Sequence, residues 1–205
     1  MPVKVKICGI CRVEDARAAV DAGADFLGLN FHPASPRRVT VEDAVAIADA
    51  VAGTALVGVF VDAPRARVED VAARVGLAAV QFHGDEDPDY CRKWAWRVIK
   101  AIRVAPGADA AAAAARFAGA VDYLLLDSFV AGRPGGTGVA LDPALAAGVS
   151  PEHLFVAGGL RSETVADIVR ALRPFAVDVA SGVEASPGRK DHGKIEEFIR
   201  RAKAA

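Results

Sequence analysis

Cysteine is scarce in this chain: three residues, Cys8, Cys11 and Cys91, among 205. So small and odd a number excludes a disulfide framework and points to a reducing compartment. An excess of one charge is missing too, since 25 Lys and Arg face 26 Asp and Glu. A general nucleic-acid binder needs basic excess because its affinity comes from phosphate contacts, so no nucleic-acid partner is expected, although a local phosphate site remains open. No uncharged run reaches the ~20 residues of a membrane helix. The opening residues Met1 to Lys6 alternate charged and apolar side chains and lack the apolar core of a secretory signal. A cytoplasmic protein with no membrane partner is expected. Glycine (19) and proline (11) are too few for a low-complexity or collagen-like chain. The length favours one domain over residues 1–205, with a core large enough to need no staples.

What is present is a rhythm. Short Val-, Ile- and Leu-rich runs at 3–8, 26–31, 55–61, 79–82, 97–102, 123–127, 154–157 and 176–180 read as strands buried on both faces. Between them, apolar residues at helical spacing predict helices at 13–22, 41–51, 66–75, 87–96, 108–117, 162–172 and 191–202. Thr40 precedes one helix with Asp43 three residues on, Gly23 and Gly76 close two others, and Pro64, Pro88 and Pro143 sit near helix starts. Strand-then-helix order repeated along the chain, with eight strands in all, implies parallel strands with right-handed crossovers, hence an α/β fold, a (β/α)8 TIM barrel. An open doubly wound sheet is the alternative, disfavoured because no G-x-G-x-x-G comes after the first strand.

In such a barrel the chemistry sits at the C-terminal ends of the strands. The strand ends and the loops after them bring Cys8, Arg37 and Arg38, Gln81 and His83, Asp127, Gly158-Gly159 and Ser181-Gly182 to one rim. The two glycine turns lie before helices in the last two units, where backbone N–H groups and a helix N-terminus make an anion cradle. The plainer reading is two tight turns that need φ > 0. Gly132 to Gly138 reads as a long loop, either a lid or a passive turn. Cys8 and Cys11 form C-x-x-C, but no second such pair exists, so no metal is expected. His32, His153 and His192 look structural or exposed, and Trp94 and Trp96 look like packing residues.

Lys6-Ile7-Cys8-Gly9-Ile10 resembles the opening signature of the phosphoribosylanthranilate isomerases. Agreement continues in order through Ser35-Pro36-Arg37-Arg38, Gly58-Val59-Phe60-Val61, Val80-Gln81-Phe82-His83-Gly84, Leu126-Asp127-Ser128, Gly135-Gly136-Thr137-Gly138, Ala157-Gly158-Gly159-Leu160 and Asp178 to Glu184. No single segment decides, but the ordered set spans essentially the whole chain. The resemblance implies an Amadori rearrangement in tryptophan biosynthesis, turning N-(5-phosphoribosyl)anthranilate into 1-(2-carboxyphenylamino)-1-deoxyribulose 5-phosphate. It implies Cys8 as general base, Asp127 as general acid and Arg37 on the anthranilate carboxylate. Gln81 and His83 would line the pocket, with a structural role favoured for His83 over a proton shuttle. Gly158, Gly159, Ser181 and Gly182 would hold the phosphate. No cofactor is needed, and a monomer is expected.

Cys8 must become a thiolate and Asp127 must hold a proton, so their pKa values have to be pulled in opposite directions. Strand alternation puts Lys6 and Cys8 on one face, and a buried Lys6–Asp178 pair beneath the site would add positive character near the thiol. Cys11 stands where the family usually has Thr, which raises an expectation of oxidative inactivation through a Cys8–Cys11 disulfide. Three other readings compete. One is the equivalent sugar-phosphate isomerase of histidine biosynthesis, disfavoured because the first strand ends in Cys8 and not in a carboxylate. The second is a noncatalytic phosphate-ligand barrel, disfavoured because Cys8 and Asp127 are both present. The weakest is a redox protein using Cys8 and Cys11.

Overall fold

The computed structural model describes residues 2–104, 110–128, 146 and 149–205. Eight parallel strands close into a barrel in sequence order: β1 (Lys4–Cys8), β2 (Phe26–Asn30), β3 (Ala55–Phe60), β4 (Ala79–Phe82), β5 (Arg97–Val104), β6 (Tyr123–Ser128), β7 (Leu154–Ala157) and β8 (Ala176–Val179). Closure is made by β8 against β1, with Lys4 opposite Ala176 and Lys6 opposite Asp178. Outside lie α1 (Val13–Asp21), α2 (Val41–Ala50), α3 (Arg65–Val75), α4 (Pro88–Cys91), α5 (Ala110–Arg116), α6 (Ser162–Leu172) and α7 (His192–Lys203). The eight expected strands are all present, with no end differing by more than two residues. The loop expected from Gly132 to Gly138, and Pro143, lie outside the described residues.

Local chemistry explains most boundaries. Thr40 Oγ1 accepts from the Asp43 amide at 3.0 Å and starts α2. Gly76 ends α3 in the left-handed region at φ 71°, where a side chain would be strained. The helix expected over 87–96 is corrected: α4 is a single turn. Arg65 from α3 stacks 3.9 Å over the Trp94 ring and donates through Nη2 to the Tyr90 and Arg92 carbonyls. The Trp94 indole also donates to the Tyr90 carbonyl at 2.8 Å. Side chains thus occupy the acceptor that a second helical turn would use, and Trp94 folds onto Phe82 and Tyr90. Tertiary contacts override a helical pattern here.

One hydrophobic layer lies between barrel and helices. A second fills the barrel, from Val57, Ala79 and Ile99 to Leu125 and Phe155. Its floor is an aromatic plug in which Phe26, Tyr123 and Phe175 surround Phe155. The bottom is therefore closed, and the polar interior residues Lys6, Gln81 and Asp178 sit toward the other end. After β8 the chain adds a hairpin that the strand–helix rhythm does not foretell. Strands β9 (Glu184–Ser186) and β10 (Arg189–Lys190) pair antiparallel around Pro187-Gly188, with Gly188 at φ 80°. Pro followed by a left-handed Gly is what a type II turn requires.

Candidate active site

At the C-terminal end of β1, Lys6 and Cys8 both point into the barrel. Lys6 is fully buried, and its Nζ donates to Asp178 Oδ1 at 2.9 Å across the β1–β8 seam. The same ammonium interacts electrostatically with the Cys8 thiol. Burial alone would push the lysine down, but Asp178 and Cys8 outweigh it and hold it above its ordinary value. Burial pushes the Cys8 thiol up, Lys6 and then Lys190 pull it down, Asp178 works with burial, and the net direction is up. The positive charges expected near the thiol are in place, yet they only partly offset desolvation.

Space for this arrangement comes from Gly28, opposite Cys8 on β2. A Cβ at Gly28 would lie 2.8 Å from Cys8 Sγ and 3.1 Å from Lys6 Nζ. Across the mouth, Asp127 lies one residue from the end of β6 and is partly exposed. His83 Nε2 lies 3.3 Å from Asp127 Oδ2, and Gln81 Nε2 lies 3.3 Å from His83 Nδ1. Donation by Gln81 leaves the His83 proton on Nε2, facing the carboxylate. Gln81 is 1% exposed, and its Oε1 is a buried acceptor without a hydrogen-bond partner among the described residues.

Arg37, in the loop between β2 and α2, packs over Gly9. Its Nε and Nη2 donate to Glu184 Oε1 and Oε2, both at 2.7 Å. One edge of the guanidinium expected to meet a substrate carboxylate is thus already occupied by a carboxylate of the protein. Lys190, also buried, donates from Nζ to the Cys8 carbonyl at 2.6 Å, to the Ala180 carbonyl at 3.0 Å and to Glu184 Oε1 at 3.2 Å. Burial would raise Glu184, but Arg37 and Lys190 hold its carboxyl below the usual range.

The two glycine turns meet. A Cβ on Gly182 would lie 2.0 Å from the Leu160 carbonyl oxygen, so only glycine permits this approach. Gly158 and Gly159 adopt φ 88° and 62°, and α6 begins at Ser162. A pocket of about 400 Å³ opens here, lined by Gly159, Ser162, Ser181, Gly182 and Lys194 among others. Lys194, from α7, donates to the Glu184 carbonyl at 3.0 Å.

The expected residues therefore fall into four places on one rim: Lys6, Cys8 and Asp178; Gln81, His83 and Asp127; Arg37 against Glu184; and the glycine turns with Ser181. Sequence reasoning missed Gly28, Glu184, Lys190 and Lys194. The Pro187-Gly188 dipeptide was the available signal for the hairpin that carries two of them. Cys11 is a free thiol 3.6 Å from the Gly9 carbonyl oxygen. His192 Nε2 lies 2.8 Å from Asp15 Oδ1.

Residues 5–201 match the family described as N-(5'-phosphoribosyl)anthranilate isomerase. The chain belongs to that family. It is 50% identical over 206 residues to the N-(5'-phosphoribosyl)anthranilate isomerase of Thiobacillus denitrificans, covering all of both chains. The crystal structure of the phosphoribosyl anthranilate isomerase from Thermotoga maritima superposes with a TM-score of 0.90 at 39% identity, covering 99% of this chain and 100% of that one. A second solved isomerase, in complex with reduced 1-(o-carboxyphenylamino)-1-deoxyribulose 5-phosphate, matches with a TM-score of 0.85 at 40% identity and the same coverage. The chain is accordingly a phosphoribosylanthranilate isomerase, an enzyme of tryptophan biosynthesis.

Proposed function

We propose that Cys8 is the general base and Asp127 the general acid of the isomerisation. Asp127 protonates the ring oxygen of the ribosyl group, the furanose opens to a Schiff base, and Cys8 removes the C2′ proton to give an enolamine. Tautomerisation of the enolamine yields the ketone. The observation that carries this reading is the placement of one thiol and one partly exposed carboxyl at the ends of β1 and β6, on the open rim of a barrel whose floor is stoppered. Lys6 stabilises the thiolate when it forms, and Asp178 keeps Lys6 charged and aimed. His83, oriented by Gln81, steadies one oxygen of Asp127 and leaves the other for the proton. The unpartnered Gln81 oxygen suits a substrate hydroxyl or N–H, because a buried acceptor left unmet carries the full desolvation cost.

The phosphate sits over Gly158, Gly159, Ser181 and Gly182 at the N-terminus of α6, where the unpaired N–H groups of a first helical turn and the helix dipole favour an anion. Lys194 adds a cation to that pocket. Arg37 meets the anthranilate carboxylate with the part of its guanidinium that Glu184 leaves open. The related isomerase in complex with a reduced product carrying both a phosphate and a ring carboxylate supports a site with these two anion contacts. One chain supplies every residue in this reading. The test is loss of substrate fluorescence for wild type, Cys8→Ser and Asp127→Asn. Both variants should lose kcat by about 10²-fold or more, and full activity in either removes that residue from the mechanism.

A further inference from the structure

The hairpin formed by β9 and β10 adds no strand to the barrel, so closure of the fold does not account for it. Yet it carries two charged side chains almost wholly out of water: Glu184 is 5% exposed and Lys190 0%. Buried charges are costly unless each is paired and fully hydrogen-bonded. Here they are. Glu184 receives Arg37 on both oxygens, Lys190 at 3.2 Å and the Gly188 amide at 3.3 Å. Lys190 spends its other two hydrogens on the Cys8 and Ala180 carbonyls, and its own amide donates to Asp15 at 3.1 Å. The network joins the end of β1 and the start of α1 to the loop after β2 and the segment after β8. Among the described residues, Arg37 Nη1 alone on that guanidinium makes no hydrogen bond.

We propose that Glu184 is a positioning residue for substrate recognition. It clamps the Nε and Nη2 edge of Arg37 and leaves the Nη1 side facing the anthranilate carboxylate in one orientation. Lys190 balances the buried charge and ties the clamp to the strand end that bears Cys8. The inference rests on the proposed contact between Arg37 and that carboxylate. Arginine on a loop has many rotamers, and an unclamped one must be ordered each time substrate binds. With Glu184 in place that ordering is completed during folding, and the gain is seen only by ligands that use Arg37. A ligand without a ring carboxylate makes no contact with Nη1 in this reading, so it gains nothing from the ordering.

The test uses two inhibitors, the reduced product 1-(o-carboxyphenylamino)-1-deoxyribulose 5-phosphate and its analogue lacking the ring carboxylate. Their Kd values are measured calorimetrically on wild type, Glu184→Gln, Glu184→Asp and Arg37→Ala, with thermal melts as the fold control. Glu184→Gln should weaken the carboxylated inhibitor by about two- to tenfold, the range for ordering one long side chain. It should leave the other inhibitor within twofold and raise KM more than it lowers kcat. Glu184→Asp, which keeps the charge, should fall between, and it carries the same selective loss if Glu184→Gln does not fold. Equal weakening of both inhibitors means general damage to the site and overturns the proposal. Unchanged or tighter binding of the carboxylated inhibitor also overturns it, because Glu184 would then be idle or a competing anion. If Arg37→Ala leaves that inhibitor unaffected, the proposed role of Arg37 itself falls. If Arg37→Ala weakens binding and Glu184→Gln does not, the clamp alone is wrong.

Discussion

Substituting Gly28 by alanine tests the packing of the proposed base. Gly28 faces Cys8 across the β1–β2 seam, and the added methyl would sit 2.8 Å from Sγ, 3.0 Å from the Cys8 Cα and 3.1 Å from Lys6 Nζ. Comfortable contacts are about 3.5–4.0 Å, so the thiol and ammonium must each retreat by roughly 0.5–1 Å. Part of that is met by rotating the thiol, but the Cys8 Cα is backbone and moves only with the strand. A displacement of about 1 Å at a reacting group costs on the order of 10²-fold in rate. Overfilling a packed interior costs about 1–3 kcal/mol, and each kcal/mol lowers Tm by roughly 2–4 °C in a chain of this size. The methyl would also separate Sγ from Lys6, whose charge draws the thiol pKa down, so that pKa should rise further. Steady-state kinetics, a melt and a pH titration of thiolate absorbance read these three effects, in a background lacking Cys11 and Cys91. A variant with kcat within threefold of wild type and an unmoved thiol titration would mean that Gly28 does not set the position of the thiol.

Three further outcomes are expected. In Gly182→Ala the new Cβ would meet a backbone oxygen at 2.0 Å, forcing the two phosphate-side turns apart. Loss of one hydrogen bond to a charged ligand, about 1.5–3 kcal/mol, should raise KM by roughly ten- to hundredfold, and inhibition by inorganic phosphate should weaken in parallel. Lys100 is buried and bonded to Glu86 at 2.8 Å and to the Gly84 carbonyl at 2.7 Å. Lys100→Met leaves that carboxylate unpaired and should cost about 3–5 kcal/mol in urea unfolding. Asp25 is desolvated, but hydrogen bonds from Lys4, the Val5 amide and Lys203 hold its carboxyl below the usual range. A carboxyl depressed on folding stabilises the protein above its unfolded pKa, near ~3.9, and that stability is lost as pH falls through the folded value. Asp25→Asn should therefore melt below wild type at pH 7 and converge with it in strong acid; a constant gap across that range would contradict the linkage.

The barrel was legible because its signals are local and repeated. β4, β7 and α6 fall where the alternation puts them, since bounded apolar runs and helical spacing depend only on nearby residues. The failures are places where distant residues decide. Residues 92–96 carry a helical pattern, but Arg65 and Trp94 take the Tyr90 carbonyl and the helix stops after one turn. At the site, the Lys6–Asp178 pair follows from strand alternation and the closure of β8 on β1. The occupied edge of Arg37 does not, because Glu184 lies 147 positions away in a hairpin marked only by Pro187-Gly188. Gly28 escaped notice for a similar reason. Its lack of a side chain matters only because Cys8 and Lys6 come to face it.

The direct test of the proposed base is a kinetic isotope effect on C2′. Substrate deuterated at that carbon is compared with unlabelled substrate in single-turnover reactions of wild type, Cys8→Ser and Asp127→Asn. If Cys8 takes the C2′ proton, Cys8→Ser turns over slowly with a primary isotope effect larger than that of wild type, while Asp127→Asn, slowed at ring opening, has a smaller one. A Cys8→Ser enzyme that is as fast as wild type, or slow with no isotope effect, would contradict the assignment.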